Sequence, residues 1–204
     1  MRKPTTEGGT DRLLALSDGV FAIAITLLVL DIHVPQGLDS DGFHEALGDV
    51  LPNLGAYGIS LAVLAGFWRD HRAIFRPVRQ VDADVIWLTV LGLGLAALLP
   101  FPTALVSEYG DEGASVVIYS AAVAALGAVH LALAAVIARR PWLRGDAEPV
   151  RDEFLYALDL GAMVAVFVVT IPLALVVGPA AMWWWLVLVP ITVWLGRKEN
   201  AAAR

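Results

Sequence analysis

The chain has 204 residues, 58% of them hydrophobic and 17% charged, against about 45–50% and roughly 25% in a soluble domain. A mean hydropathy of +0.71 and apolar residues gathered into long charge-free blocks exclude a soluble fold and predict an all-α integral membrane protein. The net charge of −6 says little by itself about partners, and the absence of cysteine excludes a disulfide framework and a thiolate metal site.

The first apolar run, about Leu13 to Val34, would rise roughly 33 Å as a helix, enough to cross a bilayer's hydrocarbon core. Arg2 and Lys3 ahead of it imitate a secretory signal. The run is too long for one, however, and His33, Val34 and Pro35 stand where a small-residue cleavage site would be. Thr10 or Asp11 can cap its start, and Pro35 ends it. A second span is expected over about Leu54–Trp68, where Trp68 is an interfacial anchor followed by Arg69, Asp70, His71 and Arg72. The third covers about Val85–Val106 and carries Pro100 and Pro102 in its last third. The fourth is expected over Ala114–Ala138 and the fifth over Leu155–Val177. Gly178 and Pro179 then turn the chain into a sixth, about Ala181–Leu195. Residues 1–204 thus read as a single six-helix transmembrane domain, multi-pass in the cell membrane, with lipid as its surroundings and no nucleic-acid partner.

Charge sets the orientation. Arg2, Lys3 and Arg12 open the chain, and Arg69, Arg72, Arg76 and Arg79 fall between the second and third spans. Arg139, Arg140, Arg144 and Arg151 fall between the fourth and fifth, and Arg197, Lys198 and Arg204 follow the sixth. The alternate connections hold no basic residue, so the positive-inside rule places both termini in the cytoplasm. The opposite side carries Asp31, Asp39, Asp41, Glu45, Asp49, Glu108, Asp111 and Glu112. These are either ordinary solvated loops or a negative vestibule that concentrates cations.

Motifs for catalysis are missing. The sequence has no phosphate-binding loop, no His-Glu-x-x-His, no Gly-x-Ser-x-Gly and no Thr-Val-Gly-Tyr-Gly filter. No span carries arginine at every third position, so a voltage-sensing helix is not expected. Nothing predicts an enzyme, a cofactor or a bound metal.

The first helix is the informative one. Ser17 and Asp18 sit about one and a half turns inside its basic end, where an ionisable group must face protein or water. Asp18 either complements the positive end of its own helix or joins an inter-helix hydrogen-bond cluster with Ser17, Trp68, His71, Trp87 and Thr89, which lie at one depth. Leu16, Val20, Ile23, Leu27, Leu30 and Val34 recur at spacings of four and three along one face. Such a seam is either a packing surface or, around a symmetry axis, a constriction that gates by dewetting. Ala15, Ala22 and Ala24 on other faces allow close helix approach.

These residues resemble the lysosomal potassium channel family, the transmembrane protein 175 family. Its bacterial signature is Arg-x-x-x-Phe-Ser-Asp followed by Gly-Val-Phe-Ala-Ile-Ala-Ile-Thr-Leu-Leu-Val-Leu. This chain has Arg12, Leu16 in place of Phe, Ser17, Asp18 and then the same run. Trp68-Arg-Asp-His71 and Leu99-Pro-Phe-Pro-Thr103 are similar to the family's second- and third-helix motifs, while Thr89 stands where bacterial members often carry Asn. The likeness is specific over the first half of the chain. It implies a homotetramer in which the first helix lines the pore without a carbonyl filter. Ile23, Leu27 and Leu30 correspond to the hydrophobic pore layers, Ile23 innermost and Leu30 outermost. Val20 and Val34 are further pore-lining candidates, and Thr26 either faces the pore or bonds back to its own helix. Arg12, Ser17, Asp18, Trp68, His71 and Thr89 would hold that helix from behind.

The expected function is therefore a cation channel passing potassium. The rival reading is a secondary, proton- or cation-coupled transporter, for which Pro100, Pro102, Pro172 and Pro190 could break helices near a midplane site. No repeat pairs those prolines, and no mid-depth carboxylates offer coupling. A non-transporting scaffold is the third reading.

Overall fold

The computed structural model describes residues 9–145 and 153–188. Its elements are α1 (Gly9–Leu27), extended by a 3-10 turn over Leu28–Asp31, then α2 (Ser40–Phe75), α3 (Ala83–Leu98), α4 (Pro100–Glu108), α5 (Gly113–Ala138) and α6 (Glu153–Val177). A short 3-10 turn, Pro141–Leu143, lies in the connection after α5, and a 3-10 segment, Gly178–Val187, follows α6. Among the described residues five segments are long and apolar enough to cross a membrane: Gly9–Leu30, Ser40–Phe75, Ala83–Glu108, Gly113–Ala138 and Leu158–Val187.

The last of these is not one straight rod. Gly178 has φ +66, a left-handed conformation that glycine adopts without a Cβ clash. Beyond it the chain returns along α6, because the rings of Phe167 and Trp185 lie 5.7 Å apart and Trp185 also stacks 5.0 Å from Tyr119. The expected sixth span begins in this returning arm; its residues 189–195 lie outside the described residues.

Helix α2 is much longer than the expected Leu54–Trp68. The Asp39 side chain accepts a hydrogen bond from the Gly42 amide at 2.9 Å and caps its first turn, and Asp41 adds negative charge at the same end. Arg72 in the last turn favours its extension to Phe75. Hydropathy marks only the part of a helix that sits in lipid, so the polar ends went unread. The expected third span is two helices. Pro100 has no amide to donate, so Leu99 closes a tighter turn onto the Ala96 carbonyl at 3.2 Å before Thr103 resumes the ladder onto Leu99 at 3.1 Å.

Helix α5 is central. It packs on α6, α3, α4 and α2 and buries Tyr119, Val123, Leu126, His130, Leu133 and Ile137. Contact with α6 is closest at Gly127, where an added Cβ would lie 2.5 Å from Val164 Cγ2. At the basic end a second apolar cluster (Leu13, Ile74, Phe75, Val78, Val85, Leu143 among others) closes the bundle. There the α2–α3 and α5–α6 connections are tied by an antiparallel bridge between Val78 and Arg144, and the Arg79 amide donates to the Leu143 carbonyl at 2.9 Å. Arg140 pairs with both Asp82 and Asp84, the latter at 2.8 Å. The hydrogen bond to Asp84 and then that to Asp82 hold its guanidinium above the ordinary arginine range.

Candidate pore helix and its anchor

Helix α1 has two faces. Leu13, Ser17, Phe21, Ala24 and Leu28 are buried, at the spacings that align side chains on one side of a helix. They turn α1 toward α3 and α2, its main partners. The other side is left open by this chain: Leu16, Ile23, Leu27 and Leu30 are 51%, 61%, 39% and 69% exposed. Val20 and Val34 are half-buried, and Val20 packs partly against the main core.

The sequence pattern does not reveal a change of pitch at the acidic end. From Leu28 to Asp31 the helix is 3-10, in which residues three apart eclipse at about 2.0 Å rise per residue. Leu30 is thereby brought toward the line of Leu27, about 6 Å further along. Thr26 is exposed, and its hydroxyl donates to the Ile23 carbonyl at 2.8 Å. Of the two options read from the sequence, the bond back to its own helix is the one formed.

The anchor is Asp18. One of its carboxylate oxygens accepts from the Trp68 indole N–H at 2.8 Å. The Arg72 guanidinium donates to the other at 3.1 Å and lies over the Trp68 ring, 5.6 Å from its centre. Asp18 is thus held by α2, one turn of which supplies both an indole donor and a cation. The rest of the expected cluster is arranged differently. Ser17 donates to the Leu13 carbonyl at 2.9 Å within α1. Arg12 is exposed, and the cation on Asp18 is Arg72. Trp87 is exposed and Thr89 buried; among the described residues the Thr89 hydroxyl has no hydrogen-bond partner.

His71 does not bond to Asp18. It is buried among rings, 6.0 Å from Phe21, 4.8 Å from Phe75 and 5.6 Å from His130. His130 Nδ1 lies 3.0 Å from the Leu126 carbonyl. In the neutral ring that nitrogen carries the proton, leaving Nε2 as an acceptor. Sequence reading missed Arg72 and His130. Arg72 follows Trp68 by four residues, one helical turn, and a lone titratable residue inside an apolar span was the signal for His130. Among the described residues no cluster of three or more His, Cys, Asp or Glu side chains could hold a metal.

Six exposed acids, Asp39, Asp41, Glu45, Glu108, Asp111 and Glu112, lie toward the opposite end from Asp18 and Arg72. Asp31 and Asp49 side chains lie outside what the structure describes.

A helical bundle with several membrane-length segments and an aliphatic helix face left open by its own chain defines an integral membrane protein. Residues 12–100 match the family described as endosomal/lysosomal potassium channel TMEM175. A potassium channel of Streptomyces collinus is 44% identical over 124 residues, 60% of this chain and 59% of that protein. A potassium channel of Chamaesiphon minutus is 43% identical over 102 residues, 49% and 50% of the two chains. The crystal structure of a lysosomal potassium-selective channel TMEM175 homologue from Chamaesiphon minutus aligns with a TM-score of 0.75 at 27% identity, over 94% of this chain and 98% of that one. The matches span between half and three fifths of these curated relatives. Over residues 12–100 the chain is thus similar to the TMEM175 family, and the relatives it matches are named as ion channels.

Proposed function

We propose that this chain is the subunit of a homotetrameric, potassium-permeable channel in the cell membrane, with six spans and both termini in the cytoplasm. The observation that carries the reading is the open aliphatic face of α1, held from behind by the Asp18–Trp68–Arg72 contact. Four such faces around an axis make a pore with successive rings of Ile23, Leu27 and Leu30, Ile23 nearest the cytoplasm. Water leaves a narrow aliphatic ring readily, so these layers act as the constriction and gate. Thr26 sits beside the rings with its hydroxyl proton turned to the helix, leaving a lone pair for a passing cation. The acidic outer end raises the local cation concentration and disfavours anions. With no carbonyl filter, potassium is preferred over sodium only modestly.

The test is the reversal potential of purified protein in a planar bilayer, with potassium on one side and sodium on the other. Discrete openings that reverse toward the potassium equilibrium potential are expected. Saturable flux at low turnover without openings would transfer the reading to a carrier.

A further inference from the structure

A chain of hydroxyls stands behind the acidic end of α1. Ser60 of α2, Thr103 of α4 and Tyr119 of α5 are all buried. The Ser60 and Tyr119 oxygens lie 3.1 Å apart, and the Thr103 hydroxyl lies 2.8 Å from the Ser60 oxygen and 2.9 Å from the Leu99 carbonyl. A hydroxyl carries one proton, and a carbonyl can only accept. All the contacts are therefore made in one direction only: Tyr119 donates to Ser60, Ser60 to Thr103, and Thr103 to Leu99. The Tyr119 ring is stacked in turn on Trp185, 5.0 Å away.

This chain lies level with the 3-10 turn. Asp18 near the start of α1 meets Trp68 near the end of α2, and the turn touches α2 at the other end, so the two helices run antiparallel. Thr26 stands eight residues from Asp18, and Ser60 eight from Trp68, about 12 Å along each helix. The turn packs on both α2 and α4. Its Leu28 is buried, while Leu27, Val29 and Leu30 beside it are exposed. Leu28 shares one apolar cluster with Leu64 and Leu99. Leu64 is one helical turn from Ser60, and Thr103 is one turn from Leu99. The Ser60–Thr103 bond thus ties together the two sides of the seat that Leu28 occupies.

We infer that Ser60 and Thr103 are positioning residues for the outer aliphatic barrier: their hydroxyls clamp α2 to α4 around Leu28 and so hold Leu27 and Leu30 at a fixed distance from the pore axis. This rests on the pore reading. Among residues 27–30 Leu28 is the one that its own chain buries, so any shift of its seat passes to the exposed neighbours. A buried hydroxyl left without a partner is costly where water is excluded, which favours the clamped arrangement over a loosened one. Tyr119 supplies the first proton of the chain, but the bonds from Ser60 to Thr103 and from Thr103 to Leu99 stand without it.

The test measures open probability and unitary current in planar bilayers, with amide exchange over residues 28–32, for the parent and four variants. Thr103→Val and Ser60→Ala each unlink α2 from α4. Both are expected to raise open probability several-fold and quicken exchange at 28–32, with unitary current near the parent's because the ring side chains are unaltered. Thr103→Ser keeps the hydroxyl and Tyr119→Phe keeps the α2–α4 bond, so both should gate as the parent does. Ser60→Ala removes a single oxygen and decides the matter alone if Thr103→Val does not assemble. Open probability at or below the parent's in the unlinked variants, from a parent that does open, overturns the inference and leaves the pore reading standing. An equal rise from Tyr119→Phe overturns it too, since general loosening of the core then explains the effect. A well-folded parent without openings overturns both.

Discussion

The contact that fixes α1 predicts an ordering of variants. Trp68→Phe removes one N–H and leaves the aromatic face on which Arg72 rests. A hydrogen bond to a charged group contributes about 1.5–3 kcal/mol. The Asp18 side chain is 41% exposed, and partial solvation reduces the figure here to about 1–2 kcal/mol. Arg72→Gln removes an ion pair whose partners are 53% and 41% exposed, worth about 0–1 kcal/mol. Asp18→Ala removes both, at about 1–3 kcal/mol. At roughly 2–4 °C per kcal/mol for a chain of this size, Trp68→Phe lowers Tm by about 2–8 °C and Arg72→Gln by no more than about 4 °C. Thermal unfolding in detergent, followed by helical circular dichroism, measures each variant. A double-mutant cycle between Asp18→Ala and Trp68→Phe should return a coupling of about 1–2 kcal/mol. Additive effects in that cycle, or a larger loss from Arg72→Gln than from Trp68→Phe, would refute the assignment of the indole as the main tether.

In the proposed pore, Leu27→Ala widens the middle aliphatic ring and is expected to raise the open current at equal membrane expression; unchanged current counts against Leu27 lining the pore. Gly127→Ala places a Cβ 2.5 Å from Val164 Cγ2, an overlap that destabilises by about 1–3 kcal/mol, and adding Val164→Ala should restore most of the lost Tm; a single variant as stable as the parent would show that α5 and α6 are not in close contact there. Arg140→Gln removes the ion pairs to both Asp82 and Asp84 at the basic end, so amide exchange should quicken at Val78–Asp84 and Leu143–Gly145 while α5 is unchanged. Exchange indifferent to the substitution there would mean that the backbone bridge alone holds the two connections.

How much was legible depended on whether a signal was local. Helix α5 matched its expected bounds to within one residue, because an acidic turn precedes it and basic residues follow an unbroken apolar run. Shared depth put Trp68 among the candidate partners of Asp18, together with His71, Trp87 and Thr89, but left open that Asp18 only complements its own helix; the hydrogen bond itself is read from the structure. The length of α2 did not follow, because its outer third is amphipathic and polar on one side, and only the Asp39 cap marks its start. His130 was hidden for the opposite reason: it stands in a run so apolar that the run was read as a whole.

The seam of α1 shows a limit of a different kind. Spacings of four and three specify a face only while the pitch stays α-helical, and identity of side chain does not fix pitch. The Thr26 hydroxyl occupies the Ile23 carbonyl one residue before α1 ends, and the backbone then tightens into the 3-10 turn. In an unbroken α-helix Leu30 would stand about 60° from Leu27 around the axis; in the tighter turn it comes into line with it. In the proposed tetramer, two aliphatic rings in register about 6 Å apart would enclose one short dry segment, where rings out of register would leave a staggered and leakier one. In the channel proposed above, the change of pitch joins Leu27 and Leu30 into one double-layered barrier, with Ile23, four residues below Leu27 and on the α-helical phase, as a separate layer.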